Sequence, residues 1–141
     1  RSERMYVSID PAHSRLAALA TPPRVSVVMV VYMTGPALVP AMDPAMPSSL
    51  SQPTIASLRD KFGFSGLVVS DDLDAIATLR GQRDVPQAAV EALAAGADLL
   101  LVSAENDLAG LRDHILAAVS AGTLSETRLA GAAARVRALA S

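Results

Sequence analysis

Three stretches of the chain are predominantly aliphatic, and each has the length of a strand. Val25 to Met33 is rich in β-branched residues, Leu67-Val68-Val69 runs straight into Ser70-Asp71-Asp72, and Leu99 to Val102 is the third. Between them the pattern turns helical. Ile55, Leu58 and Phe62 fall on one face at i, i+3 and i+7, which predicts a helix from Gln52-Pro53 to about Phe62. Ser51 suits its N-cap, Pro53 its first turn, and Gly63 its stop. Pro86 to Ala95 reads as an Ala-rich helix closed by Gly96. Leu108 to Ser120 and Glu126 to Leu139 read as two more helices, the second capped by Ser125. Thr34 to Pro53 holds five prolines and one glycine, so residues 34–50 read as a long non-helical loop. Residues 1–24 are an irregular N-terminal segment, with a short strand at Met5 to Ile9 and a short helix at Ser14 to Ala20 before Pro22-Pro23.

Strands and helices alternate, and the strands are apolar throughout rather than alternating. That combination predicts an α/β fold with a parallel sheet covered by helices. In such folds the working residues stand at the C-terminal ends of the strands. The residues to inspect are therefore Tyr32, Met33, Thr34 and Gly35 after Val25–Val31, at the end of the first run, then Ser70, Asp71, Asp72 and Asp74 after the second. Ser103, Glu105 and Asn106 follow the third.

Composition narrows the chemistry. With 141 residues the chain has the length of one domain, and 51% hydrophobic against 3% aromatic means an aliphatic core. A net charge of -2, no Trp, two Tyr and two Phe argue against nucleic-acid binding, which needs a basic surface and stacking aromatics. The longest apolar run, Val27 to Met33, is far short of the roughly 20 residues of a membrane helix. The absence of cysteine removes thiolate catalysis and Cys-ligated zinc. His13 and His114 do not form a metal-binding spacing, and neither phosphate-loop motif occurs, so no metal and no cofactor is expected. The chain begins Arg1-Ser2-Glu3-Arg4, without an initiator Met and without the apolar core of a secretory signal; both a cytoplasmic and a secreted location fit it.

The acidic group after the second strand is the sharpest chemical feature. A carboxylate held at a strand end can serve as nucleophile, base or ligand, whereas Asp is also a favoured helix cap. Both readings are open for Asp71 and Asp72 on spacing alone. His114 sits within a predicted amphipathic helix and reads as structural. His13, three residues after Asp10, could act as an acid or base or be an ordinary loop histidine.

The residues around this group resemble a known family. Lys61-Phe62-Gly63-Phe64-Ser65-Gly66-Leu67-Val68-Val69-Ser70-Asp71-Asp72-Leu73 resembles the "lgFdGvvvSDDL" block of glycoside hydrolase family 3, in its bacterial β-N-acetylglucosaminidase branch. Val28-Met29-Val30 is similar to the preceding strand, Asp43 to Ser51 to the "ldp..PaSLS" loop, and Ala94 to Val102 to the "AGaDllLv" segment. The resemblance covers about residues 25–140. It implies a partial (β/α)8 TIM barrel over residues 25–141, comprising about strands six to eight with their helices. It implies that Asp71 is the nucleophile of a retaining mechanism acting on terminal β-linked N-acetylglucosamine, as in peptidoglycan-type saccharides. Ser70, Asp72 and Met33 are then the expected substrate-binding residues.

The departures from the family pattern shape the remaining expectations. The "KHFPGHG" sugar-binding segment and the "D-S/T-H" acid/base motif of this branch have no full counterpart. Asp10-Pro11-Ala12-His13 is similar to the latter with one residue too many, making His13 a weak acid/base candidate and Asp10 its dyad partner. Tyr32 to Gly35 stands where the family carries a His, and Ala75 where the branch usually carries a Met. Activity is therefore expected to be impaired. The alternative is a non-catalytic truncated barrel that binds sugar or assembles with a partner. Three or four strands cannot close a barrel, so the expected partners, besides a carbohydrate, are a second copy of the chain or the missing N-terminal half of the barrel.

Overall fold

The computed structural model describes residues 27–29, 46–61, 63–79 and 81–141. Their order is β1 (Val27–Met29), a 3-10 turn (Ser48–Leu50), α1 (Gln52–Asp60), β2 (Leu67–Asp72), α2 (Ile76–Leu79), α3 (Val85–Ala95), β3 (Leu99–Leu101), α4 (Leu108–Ser120) and α5 (Glu126–Ala140). The strands form one sheet in the order β1-β2-β3, parallel at both junctions. This is the α/β arrangement expected from the alternation of elements.

Local chemistry sets the helix ends. Ser51 accepts the Thr54 amide, with Pro53 in the first turn of α1. Asp84 and Gln87 form a reciprocal capping box on α3: Asp84 Oδ1 accepts the Gln87 amide at 2.8 Å, and Gln87 Oε1 accepts the Asp84 amide at 3.0 Å. Asp107 accepts two amides at the start of α4, and Ser125 accepts the Arg128 amide at the start of α5. At Gly96 the backbone takes φ 122°, a conformation a side chain would strain, and this turns the chain from α3 into β3.

Several boundaries differ from the sequence reading. α1 ends at Asp60 rather than near Phe62, α3 begins one residue earlier at Val85, and α5 runs one residue further to Ala140. Ser48–Leu50, within the expected loop, is a buried 3-10 turn, and Ile76–Leu79 is a single helical turn that no periodicity announced. β2 continues through Ser70 and Asp71 to Asp72, because its last residues still pair with β3. The strand and helix expected within residues 1–24, and the loop expected over residues 34–45, fall outside the described residues.

The core lies between the sheet and the helices. Val68 of β2 packs with Ile55 and Leu58 of α1, Leu73, and the alanines Ala88, Ala89 and Ala92 of α3. Burial of each large aliphatic side chain contributes about 1.5–3 kcal/mol, while the small alanines let α3 approach closely. A second cluster joins Leu93, Ala118 and Leu124 under α4 and α5. Val27, Leu99 and Leu101, by contrast, remain about two-fifths exposed, at 40%, 44% and 41%.

The N-terminal end of the sheet is closed by a charge cluster. Asp98, immediately before β3, has a fully buried carboxylate. Oδ2 accepts from Arg59 at 2.8 Å and from the Val68 amide at 3.0 Å; Oδ1 accepts from Arg128 at 2.8 Å and Arg135 at 3.2 Å. Arg59 also donates to the carbonyls of Phe64 and Gly66 and lies over the Phe64 ring, 5.4 Å from its centroid. Arg128 donates to the carbonyls of Leu93 and Ala97. Burial lowers the Arg59 pKa from its ordinary value, with Asp98 opposing the shift. In the sequence Asp98 stands between Ala97 and the aliphatic run that starts at Leu99; a buried acid requires partners, and α1 and α5 supply them.

Candidate active site

Asp71 is the penultimate residue of β2, the central strand, and so stands at the C-terminal end of the sheet, opposite the Asp98 cluster. It is half-buried, and its Oδ1 accepts the Asp72 amide at 2.9 Å. The strand is irregular here. Val69 pairs with Leu99 and Asp72 with Leu101, so β2 advances three residues while β3 advances two. The extra residue is a bulge, a device that re-aims side chains and is common beside active sites.

Ser70 sits within this bulge and is completely buried. Its hydroxyl accepts the Leu101 amide at 3.0 Å and donates to the Asp71 carbonyl at 2.8 Å. It therefore holds the backbone of Asp71 against β3. Both bonds are made within the fold by a side chain with no exposure. Asp72 is half-buried; its Oδ1 accepts the Asp74 amide at 3.0 Å, and its carbonyl accepts from the Thr78 hydroxyl at 3.0 Å. Asp72 does not cap the following helix as the capping alternative expected: its carboxylate closes a turn onto the Asp74 amide, and α2 starts later, at Ile76, with its first amide hydrogen bonds made to the Ala75 carbonyl.

Asp74 and the loop after β3 add a group that the sequence placed at strand ends without joining. Asp74 Oδ2 accepts the Ser103 amide at 2.6 Å, and both its oxygens accept the Asn106 side-chain amide, at 2.9 and 3.0 Å. Hydrogen bonds from Ser103, side chain and backbone, and from Asn106 hold the Asp74 carboxyl below the ordinary carboxylate range, outweighing desolvation. No sequence motif marks this contact, because its partners are 29 and 32 positions apart and meet only through parallel pairing of β2 and β3.

Asp10, His13 and Met33 lie outside the described residues. His114 is on the exposed side of α4, lining a shallow groove with Gln87, Glu91 and Thr123, away from the strand ends. Among the described residues no group of three or more His, Cys, Asp or Glu is placed to hold a metal ion. No helix among them is long and apolar enough to cross a membrane.

Known proteins share this arrangement. The family model for the glycosyl hydrolase family 3 N-terminal domain matches residues 20–139. An uncharacterized secreted glycosyl hydrolase of Arthroderma benhamiae is 35% identical over 114 residues, covering 79% of this chain and 32% of its own length. The β-hexosaminidase LpqI of Mycobacterium tuberculosis is 33% identical over 100 residues, covering 67% of this chain and 26% of its own. Among solved structures, the glycoside hydrolase family 3 β-N-acetylglucosaminidase from Paenibacillus sp. superposes with a TM-score of 0.72 at 34% identity, over 95% of this chain and 26% of that one. The chain thus spans a third or less of the curated relatives it matches. With nearly its whole described length inside one family match, the chain belongs to glycoside hydrolase family 3, in its N-terminal, TIM-barrel-type domain.

Proposed function

We propose that this chain carries the nucleophilic half of a retaining glycosidase acting on terminal β-linked N-acetylglucosamine, with Asp71 as the nucleophile. One observation carries the reading: Asp71 is the penultimate residue of the central parallel strand of a family 3 chain, at its C-terminal end, with its backbone braced by Ser70. In this mechanism the carboxylate attacks the anomeric carbon, the bond to the leaving oxygen breaks, and water later resolves the glycosyl ester. The nucleophile must be ionised and oriented. The Asp72 amide on Oδ1 suits an anion and fixes its rotamer. Asp72 and Met33 contribute to the sugar site in this proposal, while Ser70 contributes through Asp71.

The chain in this proposal is a partial barrel over residues 25–141, about strands six to eight, preceded by the segment 1–24. The exposure of Val27, Leu99 and Leu101 supports it, since in a closed barrel such apolar strand residues face further strands. The missing strands would come from the N-terminal half of a barrel or from a second copy. The acid/base is the part least provided for, with His13 and Asp10 as its candidates, so hydrolysis by the chain alone is proposed to be poor.

The test compares wild type, Asp71→Ala and His13→Ala on an ordinary aryl N-acetyl-β-glucosaminide and on one with an activated leaving group, which needs little protonation. The proposal expects turnover of the activated substrate that depends on Asp71. Brisk hydrolysis of the ordinary substrate, abolished in His13→Ala, would show instead a complete dyad. Equal rates for wild type and Asp71→Ala would refute the assignment. Failure of folded wild type on both substrates would favour a non-catalytic barrel that binds sugar or assembles with a partner.

A further inference from the structure

The carboxylate of Asp74 crosses between two loops at the end of the sheet where Asp71 stands. It gathers the Ser103 amide at 2.6 Å and the Asn106 side-chain amide at 2.9 and 3.0 Å, and Asn106 in turn donates to the Ser103 carbonyl and hydroxyl at 3.2 and 3.1 Å. The loop after β3 is therefore wound around this one acid. On its other side, the Asp74 amide is held by Asp72 Oδ1 at 3.0 Å, and the Asp72 amide by Asp71 Oδ1 at 2.9 Å. Tension or slack in the loop after β3 can thus reach the Asp71 carboxylate through two backbone amides.

We propose that Asp74 is a positioning residue for Asp71, a role that rests on reading Asp71 as the nucleophile. Asp74 touches no reacting atom; it fixes the turn that follows the bulge, and through it the direction of the Asp71 carboxylate. A bulge is a point where the strand pairing alone specifies the backbone less tightly. The bond from the Leu73 amide to the Leu101 carbonyl, at 3.0 Å, pins the middle of the turn, and Asp74 pins its far end. Such support matters because misplacing a reacting group by about 1 Å can cost about 10²-fold in rate. The acceptor must offer two oxygens to at least two donors, which a carboxylate does and an alanine cannot. Asparagine keeps one oxygen for Ser103 but turns an NH₂ toward the NH₂ of Asn106, so it should rescue in part.

The experiment measures amide hydrogen exchange in the full chain for wild type, Asp74→Ala and Asp74→Asn, alongside kcat and KM on the activated aryl glycoside. Unchanged exchange at Leu111 and Ala118 establishes that each variant is folded. The proposal expects Asp74→Ala to speed exchange about tenfold or more at both Ser103 and Asp72, with Asp74→Asn between it and wild type. It expects kcat to fall about 10- to 100-fold in Asp74→Ala with KM changed less than about twofold. Faster exchange at Ser103 with Asp72 unchanged would overturn the proposal, since the contact would then serve only the β3 loop. Absence of turnover by folded wild type would count against the nucleophile reading, while the Asp72 exchange would still decide whether Asp74 controls the Asp71 turn.

Discussion

The buried hydroxyl of Ser70 accepts the Leu101 amide at 3.0 Å where β2 carries one residue more than β3. The same hydroxyl donates to the carbonyl of Asp71, so one side chain bridges the irregular pairing and fixes the residue beyond it. Ser70→Ala removes the acceptor and leaves the Leu101 amide without this partner. The expected cost is about 1–3 kcal/mol, read from the shift in denaturant midpoint. A change within a few tenths of a kcal/mol would mean that the strands hold the bulge unaided.

At the opposite end of the sheet, Asp98→Ala should cost about 3–5 kcal/mol, because it strands the guanidinium groups of Arg59 and Arg128, each only 21% exposed. Arg135→Ala should cost less than about 1 kcal/mol, since Arg135 is 39% exposed and its charge is screened. Denaturant midpoints of the two variants test the contrast. Equal losses would contradict the view that α1 and α5 lock the sheet through Asp98.

Two glycines separate strain from crowding. A Cβ at Gly96, where φ is +122°, would lie 2.9 Å from Ile55 Cγ2, so alanine there must push the buried Ile55 side chain aside as well as strain the backbone. Gly122 has φ +76° with open space around its Cβ direction. Gly122→Ala is expected to cost roughly 1 kcal/mol and Gly96→Ala about 2–3 kcal/mol, measured by thermal unfolding.

The depressed Asp74 carboxyl gives a signed pH prediction. Its folded-state pKa lies below the unfolded value, because Ser103 and Asn106 donate to the ionised form. Its contribution is therefore fully present above the unfolded value, about 3.9, and is lost as pH falls through the folded pKa. The stability difference between wild type and Asp74→Asn should be constant near neutral pH and shrink on acidification through that window. A difference that stays level, or grows, would contradict the hydrogen-bonded carboxylate.

Elements that depend on neighbouring residues were legible in the sequence. The caps at Ser51 and Ser125, the span of α4 and the aliphatic strands all follow from local propensity and periodicity. The position of Asp71 at a strand end was legible too, because strand-end chemistry is a rule of parallel sheets. What pairing creates was not. The bulge at Ser70, the reach of Asp74 to Ser103 and the convergence of Arg59, Arg128 and Arg135 on Asp98 each join residues about thirty or more positions apart. An acid within an aliphatic run signals a need for partners, but only the fold identifies them.

The most direct measurement of the central claim is the site of covalent attachment. The chain is incubated with an activated fluoro-glycoside of N-acetylglucosamine, which forms a glycosyl ester that water resolves slowly, and is then digested and analysed by mass spectrometry. The account predicts one sugar on the peptide containing Asp71, located on that carboxylate by fragmentation, and none on Asp71→Ala. Attachment to another residue, or none on a folded wild-type chain, would contradict Asp71 as the nucleophile.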